Sequence, residues 1–308
     1  MNLLVSQEVI ERHRTVLRRY LWSRRGSIRQ VPELVAQGAN NALYRFHLRG
    51  RPLLAKIGMN PFFRQLHVEY AVLKHVRTIS PGVFDFFEDE RTDLQVLLLD
   101  PVDGVHPYIL DDAMLSAAGR AIAAYHNGSA VIAEVPVEHG VSFITDRILQ
   151  VERYGGLVAY RDRYEKLYDS LLSYADLFSL RDCGKMVLVH GDLVPRNIIS
   201  EPGGALRIID WEGARYDIPE ADLATIVKAY HLEGEHRELL FAAYGLPVDR
   251  TLFNFRLAVH HVQVLAWRLS IQLPQVQEEQ NSHVEEEIEK EFGIAEQLLA
   301  RLAENRLR

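Results

Sequence analysis

The stretch VHGDLVPRNIISEPGGALRIIDWEGA, residues 189–214, alternates short apolar runs with polar and charged side chains. Apolar runs of this kind are usually buried, whereas an ionised carboxylate is rarely buried without a partner or a metal ion. Gly191 and Pro195 are turn-prone and separate two of the apolar runs. The pattern predicts a strand, a polar loop, and then a hairpin that closes at EPGG.

The predicted loop and hairpin carry polar residues at positions that suit chemistry. His190, Asp192 and Asn197 fall on the loop, and Asp210 ends the strand that returns from the hairpin. We expect the hairpin to bring Asn197 and Asp210 close together. An amide oxygen beside a carboxylate is a hard-oxygen site that suits Mg²⁺. Asp192, on the loop, is expected to meet a substrate.

The spacing H-x-D-x4-N at residues 190–197 is that of the protein-kinase catalytic loop, with Gly191 in place of Arg. Phosphoryl transfer requires an Asp at the attacking hydroxyl, and an Asn and a second Asp that hold metal ions at the phosphates. The spacing alone is a weak signal, and His190 alone is best interpreted as a hydrogen-bonded structural histidine. Asp210, at hairpin distance and flanked by strand patterns, favours a functional site.

A kinase-type site also needs a cation for the nucleotide phosphates and an acid that positions this cation. Lys56 interrupts the apolar strand LLAKIG, although a solvated edge lysine is its simpler interpretation when it is taken alone. A helix is predicted from Pro61, with Asn60 as its N-cap, and one face of it carries Leu66, Glu69, Leu73 and Val76. Since an inward carboxylate requires a cationic neighbour, we predict that Glu69 pairs with Lys56.

The rest of the chain predicts two parts of different character. A helix at residues 6–22 is followed by predicted strands at 42–50, 51–58, 83–89 and 94–100. After PVDG, helical patterns occupy residues 110–127, residues 157–178, and the chain from about Pro219 to its end. We therefore predict an α+β fold with a small strand-rich N-terminal lobe, residues 1–100, and a larger, mainly helical C-terminal lobe, residues 101–308.

The chain resembles the aminoglycoside phosphotransferase and choline-kinase-like superfamily, whose fold is similar to that of protein kinases. The resemblance covers about residues 33–230 and is carried by QGANN, LLAKIG, VEYAVLKHV, LLLDPVDG, HGDLVPRNII, IIDWEGA and DLA. It implies a bilobal protein-kinase-like fold. It also implies an enzyme that uses ATP (or GTP) and Mg²⁺ to move the γ-phosphoryl group to a hydroxyl of a choline-, sugar- or aminoglycoside-like small molecule.

The resemblance assigns roles to acidic and amide residues of the second part. Asp192 is implied as the catalytic base, and Asn197 and Asp210 are implied as Mg²⁺ ligands. Glu212 resembles the second acid of choline-kinase-like sequences, with support of the metal or of the substrate as its alternatives. Asp222 is expected to brace the catalytic loop from the start of a helix.

The resemblance also implies a nucleotide site in the first part. Lys56 with Glu69 is implied at the phosphates, and Leu99 begins the hinge against which adenine would lie. Gly38 and Asn41, in QGANN, are expected to bring backbone N–H groups to the phosphates, and a plain hairpin turn is the alternative.

Composition and charge limit the possible partners. A net charge of −7 disfavours non-specific nucleic-acid binding, and no apolar run approaches the ~20 residues of a membrane span. Cys183 is the single cysteine, so no intramolecular disulfide is expected, and the N-terminus does not resemble a signal peptide. We therefore predict a cytoplasmic protein. The Arg-rich residues 12–29 and the Glu-rich residues 278–291 are interpreted as solvated helix faces, with charged-partner sites as the alternative.

The short interval between Asp210 and Asp222, with no A-P-E after it, disfavours a protein kinase and favours a small-molecule hydroxyl as acceptor. Candidate residues for an acceptor pocket, for which core packing is the simpler interpretation, are Tyr230, His260, His261 and Trp267. A catalytically idle kinase-like nucleotide-binding or interaction protein is the alternative to an enzyme. The acceptor and the oligomeric state stay open.

Overall fold

The computed structural model of the chain describes residues 6–23, 31–37, 41–58, 65–128, 131–137, 160–175, 186–269 and 281–306. The chain divides into two compact units, each made of segments that are discontinuous in sequence. Unit 1 comprises Met1–Ile109, Ser129–Val135 and Pro195–Ala214, and unit 2 comprises Leu110–Gly128, Pro136–Val194 and Arg215–Arg308. The division falls within the stretch at 189–214, so the hairpin belongs to unit 1 and the loop before it to unit 2.

Unit 1 is built on a five-stranded antiparallel sheet. Its strands are β1 (Glu33–Gln37), β2 (Asn41–Leu48), β3 (Arg51–Gly58), β4 (Val83–Asp89) and β5 (Leu94–Leu99). Their order is β1-β2-β3-β5-β4, which places β3 between β2 and β5. Arg49 and Gly50 form the turn between β2 and β3, with φ of 53° and 83°. A positive φ favours glycine, which explains Gly50 in this turn.

Two helices accompany the sheet. Helix α1 (Gln7–Ser23) buries Val16, Leu17 and Leu21 in the core that the sheet also forms. Helix α2 (Leu66–Leu73) buries its predicted apolar face, including Glu69. The predicted start of this helix at residues 60 and 61 lies outside the described residues.

The arginines of α1 have intramolecular partners. Arg14 pairs with Glu11 at 2.7 Å and Arg19 pairs with Asp89 at 2.6 Å. Pairs of this kind favour the simpler interpretation of the Arg-rich segment, over residues 12–23, as an ordinary helix face.

The hairpin of unit 1 has the predicted form. Strands β7 (Ile198–Ser200) and β8 (Leu206–Ile208) pair antiparallel, and the EPGG turn contains Gly203 and Gly204 with positive φ. Single 3-10 turns, Pro195–Asn197 and Trp211–Gly213, flank the two strands. The N–H of Ile209 donates to the carbonyl of Asn197 at 2.9 Å, so Asn197 lies beside the residue that precedes Asp210.

Unit 2 is mainly helical. Its helices are α3 (Asp112–His126), α4 (Arg161–Ala175), α5 (Glu220–Ala229), α6 (Gly234–Tyr244), α7 (Arg250–Trp267) and α8 (Asn281–Arg306). Strand β6 (Val187–Val189) pairs antiparallel with β9 (Arg215–Asp217). Asp111 and Asp249 cap α3 and α7 by accepting hydrogen bonds from backbone N–H groups of the first turn.

The core of unit 2 joins α4, α7 and α8 through apolar side chains, including Tyr164, Val262 and Phe292. The described part of the Glu-rich segment also has intramolecular partners, since Arg163 pairs with Glu289 at 2.5 Å. Cys183 lies outside the described residues. None of the helices in the described ranges combines the length and apolar character that crossing a membrane requires.

Candidate active site

A buried lysine lies at the centre of a group of carboxylates in unit 1. The Nζ atom of Lys56, on β3, lies 2.6 Å from Oε2 of Glu69, on α2, and 3.4 Å from Oε2 of Glu212. It also forms an ion pair with Oδ1 of Asp210. Lys56 is 6% exposed and Glu69 is 1% exposed. The ion pair that the sequence predicts between Lys56 and Glu69 is therefore present, and Asp210 joins it.

The ion pairs of this group shift the pKa values of its members. Burial disfavours the charged ammonium, but Glu69, Asp210 and Glu212 outweigh burial and hold the pKa of Lys56 above its ordinary value. Burial raises the pKa of Glu69, which Lys56 opposes and the negative charges of Asp210 and Glu212 reinforce. The ammonium of Lys56 thus contacts three carboxylates, those of Glu69, Asp210 and Glu212.

The donor set fits a hard divalent cation such as Mg²⁺. Glu69, Asp210 and Glu212 each offer a carboxylate oxygen, and these oxygens lie within 4.8 Å of one another. Oxygen ligands are the ones that Mg²⁺ prefers. Asn197, the other predicted ligand, is 2% exposed, and its backbone lies beside Ile209.

The backbone after the hairpin turns sharply at Asp210. Asp210 has φ of 67° and ψ of 58°, a left-handed conformation that is uncommon outside glycine and is best tolerated by Asn and Asp. The next residue, Trp211, is fully buried, and its Nε1 donates to Oγ of Ser80 at 2.9 Å and to the carbonyl of Ile208 at 3.1 Å. Its backbone N–H donates to Oε1 of Glu69 at 3.3 Å. The contacts of Trp211 thus anchor the turn that carries Asp210 and Glu212.

Asn41 makes a contact that the sequence does not predict. Its Nδ2 donates to Oε2 of Glu212 at 2.5 Å. Asn41 opens β2 opposite Gly58, the last residue of β3. Glu212 therefore bridges the start of β2 and Lys56. Local sequence patterns do not predict the contact between Asn41 and Glu212, because these residues are 171 positions apart.

Leu99 and Gly38 are the other residues that the sequence predicts at the nucleotide site. Leu99 is the last residue of β5, opposite Leu54 of β3 and Val83 of β4, and it is 6% exposed. Gly38 lies outside the described residues. The nucleotide contacts expected of Leu99, Gly38 and Asn41 stay predictions.

Asp192 lies in unit 2, on the segment after β6 that we call the Asp192 loop (residues 190–194). The N–H of Asp192 donates to Nδ1 of His190 at 3.1 Å, and its carbonyl accepts from Val194 at 2.9 Å. His190 is fully buried. Its Nδ1 accepts a backbone hydrogen bond, which agrees with the interpretation of His190 as a structural histidine.

Asp222, in the first turn of α5, holds the Asp192 loop. Its Oδ2 accepts from the N–H of His190 at 2.8 Å, and its Oδ1 accepts from the N–H of Gly191 at 2.9 Å. The prediction that Asp222 braces this loop is confirmed. Burial would raise the pKa of the Asp222 carboxyl, but hydrogen bonds from His126 and Tyr125 and the nearby histidines lower it to about 2. The carboxylate is therefore ionised at neutral pH.

Tyr125 and His126 were not among the residues that the sequence singled out. The local signal is the placement of two polar aromatic residues at the end of an amphipathic helix, α3. The candidate acceptor residues are in unit 2, where Nδ1 of His261 donates to Oε2 of Glu291 at 2.5 Å and Trp267 is 44% exposed. The hydroxyl of Tyr230 is buried without a hydrogen-bond partner among the described residues.

Comparison with known proteins identifies the family. The family model of the phosphotransferase enzyme family (APH) matches residues 32–256. No curated protein sequence is a significant match. The choline kinase LicA from Streptococcus pneumoniae superposes with a TM-score of 0.68 and 15% identity, covering 91% of this chain and 98% of that chain. A second structure of LicA, in complex with AMP, gives 0.66 and 15%, covering 94% and 99%.

Spectinomycin phosphotransferase APH(9)-Ia, in complex with ADP and spectinomycin, gives a TM-score of 0.61 and 15% identity, covering 88% of this chain and 94% of that chain. At such low identity these likenesses establish the fold, and the α+β, bilobal protein-kinase-like fold predicted from the sequence is confirmed. The family match extends from β1 into α7 and takes in both the Lys56 group and the Asp192 loop. The chain therefore belongs to the phosphotransferase enzyme family.

Proposed function

We propose that this protein is an ATP- (or GTP-) and Mg²⁺-dependent kinase of small molecules. It would move the γ-phosphoryl group to a hydroxyl of a choline-, sugar- or aminoglycoside-like acceptor. The observation that carries the proposal is the buried ion pair of Lys56 and Glu69, joined by Asp210. Membership of the phosphotransferase enzyme family supports the same reaction class.

The Lys56 group supplies the nucleotide end of the proposed reaction. The ammonium of Lys56 would bind phosphate oxygens, and Glu69 would hold the ammonium in place. Complexes of LicA with AMP and of spectinomycin phosphotransferase with ADP and spectinomycin support a nucleotide at this site and a small-molecule acceptor. Leu99 would lie against the base, and the backbone at Gly38 and Asn41 would approach the phosphates.

Asn197 and Asp210 would hold Mg²⁺, with Glu212 as a further oxygen donor. When bound, the ion supplies positive charge that neutralises the phosphate oxygens. The hydrogen bond of the buried Trp211 to Ser80 would help to keep the left-handed turn at Asp210 in place for the metal ion.

Asp192 supplies the acceptor end of the proposed reaction. The acceptor oxygen forms a bond to the γ-phosphorus while the bond from phosphorus to the β–γ bridging oxygen breaks, and the nucleoside diphosphate leaves. The proton of the acceptor hydroxyl passes to the carboxylate of Asp192, which acts as the base. Asp222 fixes the backbone of the loop that carries this carboxylate.

The test combines turnover with nucleotide binding. Hydroxyl compounds of the three acceptor kinds are screened for ADP release, and melting temperatures are measured with ATP, with and without Mg²⁺. We expect Asp192→Asn to lose about 10²–10⁴-fold in kcat and to keep the nucleotide-dependent rise in melting temperature. Asp210→Asn is expected to lose both.

Two results would contradict the proposal. Folded wild-type protein that neither releases ADP with any acceptor nor shows a melting shift has no kinase site. A melting shift with wild-type and Asp192→Asn proteins that are equally inactive on every acceptor would instead indicate a catalytically idle nucleotide-binding protein.

A further inference from the structure

A buried histidine connects three helices of unit 2 to the Asp192 loop. His126, the last residue of α3, is 1% exposed. Its Nε2 lies 3.3 Å from Oδ2 of Asp222, on α5, and its Nδ1 lies 2.9 Å from the hydroxyl of Tyr244, on α6. Asp222 and Tyr244 are themselves 0% and 2% exposed. The reaction proposed above assigns no role to His126.

The carboxylate of Asp222 depends on these donors. Burying a carboxylate without compensation is costly, and no lysine or arginine of the described residues pairs with Asp222. Its Oδ2 accepts from the Tyr125 hydroxyl at 2.6 Å and from the backbone N–H of His190. His126 is the third donor to Oδ2 among the described residues. The contact with Nε2 of His126 therefore falls on the same carboxylate oxygen that binds the backbone N–H of His190.

The geometry defines which nitrogen of His126 carries a proton. An ionised carboxylate only accepts hydrogen bonds, so Nε2 must carry the proton that faces Asp222. In the neutral ring Nδ1 then accepts from the hydroxyl of Tyr244. Gly119 permits this arrangement, because a Cβ at position 119 would lie 2.8 Å from the backbone N of Tyr244 and 2.7 Å from the carbonyl of Leu240. The close approach of α3 and α6 brings Tyr244 to the ring.

We propose that His126 is a positioning residue for the phosphotransfer reaction. Its Nε2–H orients the carboxylate of Asp222, which in turn holds the backbone N–H groups of His190 and Gly191 and thereby places Asp192. The proposal rests on the proposed function for its effect on turnover. The hold on the loop is a property of the folded chain and is measurable without any substrate.

Two matched variants separate this role from simple packing. The side-chain amide nitrogen of Gln corresponds in position to Nε2 of His, and that of Asn corresponds to Nδ1. His126→Gln therefore keeps a donor within reach of Asp222, and His126→Asn removes it. We expect His126→Asn to lower kcat about 10–100-fold, with the KM for ATP changed less than about twofold, because a small displacement of a catalytic group costs up to about 10² in rate. His126→Gln is expected to recover most of kcat.

Amide hydrogen exchange gives a readout that needs no activity. We expect the N–H groups of His190 and Gly191 to exchange slowly in the wild-type protein and in His126→Gln, and about tenfold or more faster in His126→Asn. If the wild-type protein releases no ADP with any acceptor, the proposed function fails while the exchange measurement still decides whether His126 holds the loop.

His13 provides the control. It is 1% exposed, its Nδ1 lies 3.1 Å from the hydroxyl of Tyr44, and the two rings meet edge to face at 84°. The rings of His126 and Tyr244 meet at 83°. His13 belongs to unit 1 and pairs with no carboxylate in the described part of the chain, so His13→Asn removes a comparable buried contact. We expect it to leave kcat and exchange in the Asp192 loop unchanged.

Three results would overturn the proposal. One is equal kcat and equal loop exchange in His126→Asn and the wild type. Another is a matched fall in kcat for His126→Asn and His13→Asn without faster loop exchange, which indicates general destabilisation. The third result applies if the variants fail to fold. A ¹⁵N spectrum of the wild-type protein that shows a neutral His126 with its proton on Nδ1 would overturn the proposal, because Nε2 could then not donate to Asp222.

Discussion

The Nδ2 atom of Asn41 donates a hydrogen bond to Oε2 of Glu212 at 2.5 Å, which ties the first residue of β2 to the turn after Asp210. The same oxygen lies 3.4 Å from Nζ of Lys56. Glu212 is therefore shared between a neutral donor and a buried cation. Removing the neutral donor takes one hydrogen bond from Glu212, within the group that we propose binds the nucleotide and its metal ion.

Asn41→Ala is expected to weaken nucleotide use more than it slows turnover. A hydrogen bond to a charged group contributes about 1.5–3 kcal/mol, so we expect the KM for ATP to rise about tenfold, with a smaller fall in kcat. Asn41→Asp places a carboxylate against Glu212 and is expected to raise KM further. Arg45→Ala, on the exposed face of the same strand, is the control. A KM for Asn41→Ala equal to that of Arg45→Ala would contradict the prediction.

Lys56→Met removes the ammonium from the three carboxylates around it. Breaking a buried ion pair from one side costs roughly 3 kcal/mol, and we expect a loss of this size at pH 8. The pKa of Glu69 is already raised, so the folded state binds protons readily there, and removal of Lys56 raises this pKa further. Acid therefore relieves the repulsion, and the loss should be smaller at pH 5. Urea unfolding at the two pH values measures the difference; a loss independent of pH would rule this account out.

Local patterns are the part of this protein that the sequence predicts well. The helical spacing placed Glu69 on an apolar face, and the residue is 1% exposed beside the lysine expected to neutralise it. The EPGG turn predicted the β7–β8 hairpin, and the hairpin positions Asn197 beside Ile209. These features follow from periodicity and turn chemistry over a few residues, which a single sequence contains.

Long-range hydrogen bonds such as those of Asn41 and His126 are the part that periodicity and turn chemistry do not predict. Asn41 and Glu212 are 171 positions apart, and His126 and Asp222 are 96 apart. Each of these residues has an ordinary local interpretation, such as a turn residue, a surface acid or a helix end. Nothing in the local pattern selects its partner, because the contact depends on how the elements pack. The chemical roles of Asp192 and Asn197 stay predictions, since they concern ligands.

His13 makes the stability of the protein sensitive to mild acid. Burial, reinforced by the charge of Arg12, lowers the pKa of His13 from 6.5 to about 4. As the pH falls, His13 of the unfolded chain therefore binds a proton near pH 6.5, whereas His13 of the folded chain binds one only near pH 4. This difference contributes about 3 kcal/mol to the free energy of unfolding. The contribution is complete above pH 6.5 and is lost as the pH falls from 6.5 to about 4.

The measurement compares free energies of unfolding in urea at pH 7 and pH 5. We expect His13→Gln to lose roughly 2 kcal/mol less than the wild type between these values. Tyr44→Phe removes the hydroxyl that contacts His13 but keeps the ring buried, so it should retain the wild-type pH dependence. Identical pH dependence in His13→Gln and the wild type would show that His13 is not the group responsible.

A second buried ion pair lies in unit 2, at the end of β9. Asp217 is fully buried and pairs with Arg256 of α7, which is 5% exposed. Asp217 also accepts from the N–H of Ile218 at 2.7 Å and from Nε of Arg215 at 3.2 Å. The Nε of Arg256 has no hydrogen-bond partner among the described residues, so the pair is incompletely compensated. A buried pair of this kind is weak support for stability as a whole but is costly to break from one side.

A double-mutant cycle on Asp217→Asn and Arg256→Met tests this distinction. Each single variant leaves one buried charge without its main partner and is expected to lose roughly 3 kcal/mol, whereas the double variant removes both charges and should lose less than the sum by about 2 kcal/mol. The exposed pair of Arg250 and Glu238, 2.6 Å apart with about half of each side chain exposed, is the control. Its coupling should stay below about 1 kcal/mol because water screens it. Equal coupling energies in the two cycles would mean that burial does not set the energetics of the Asp217 pair.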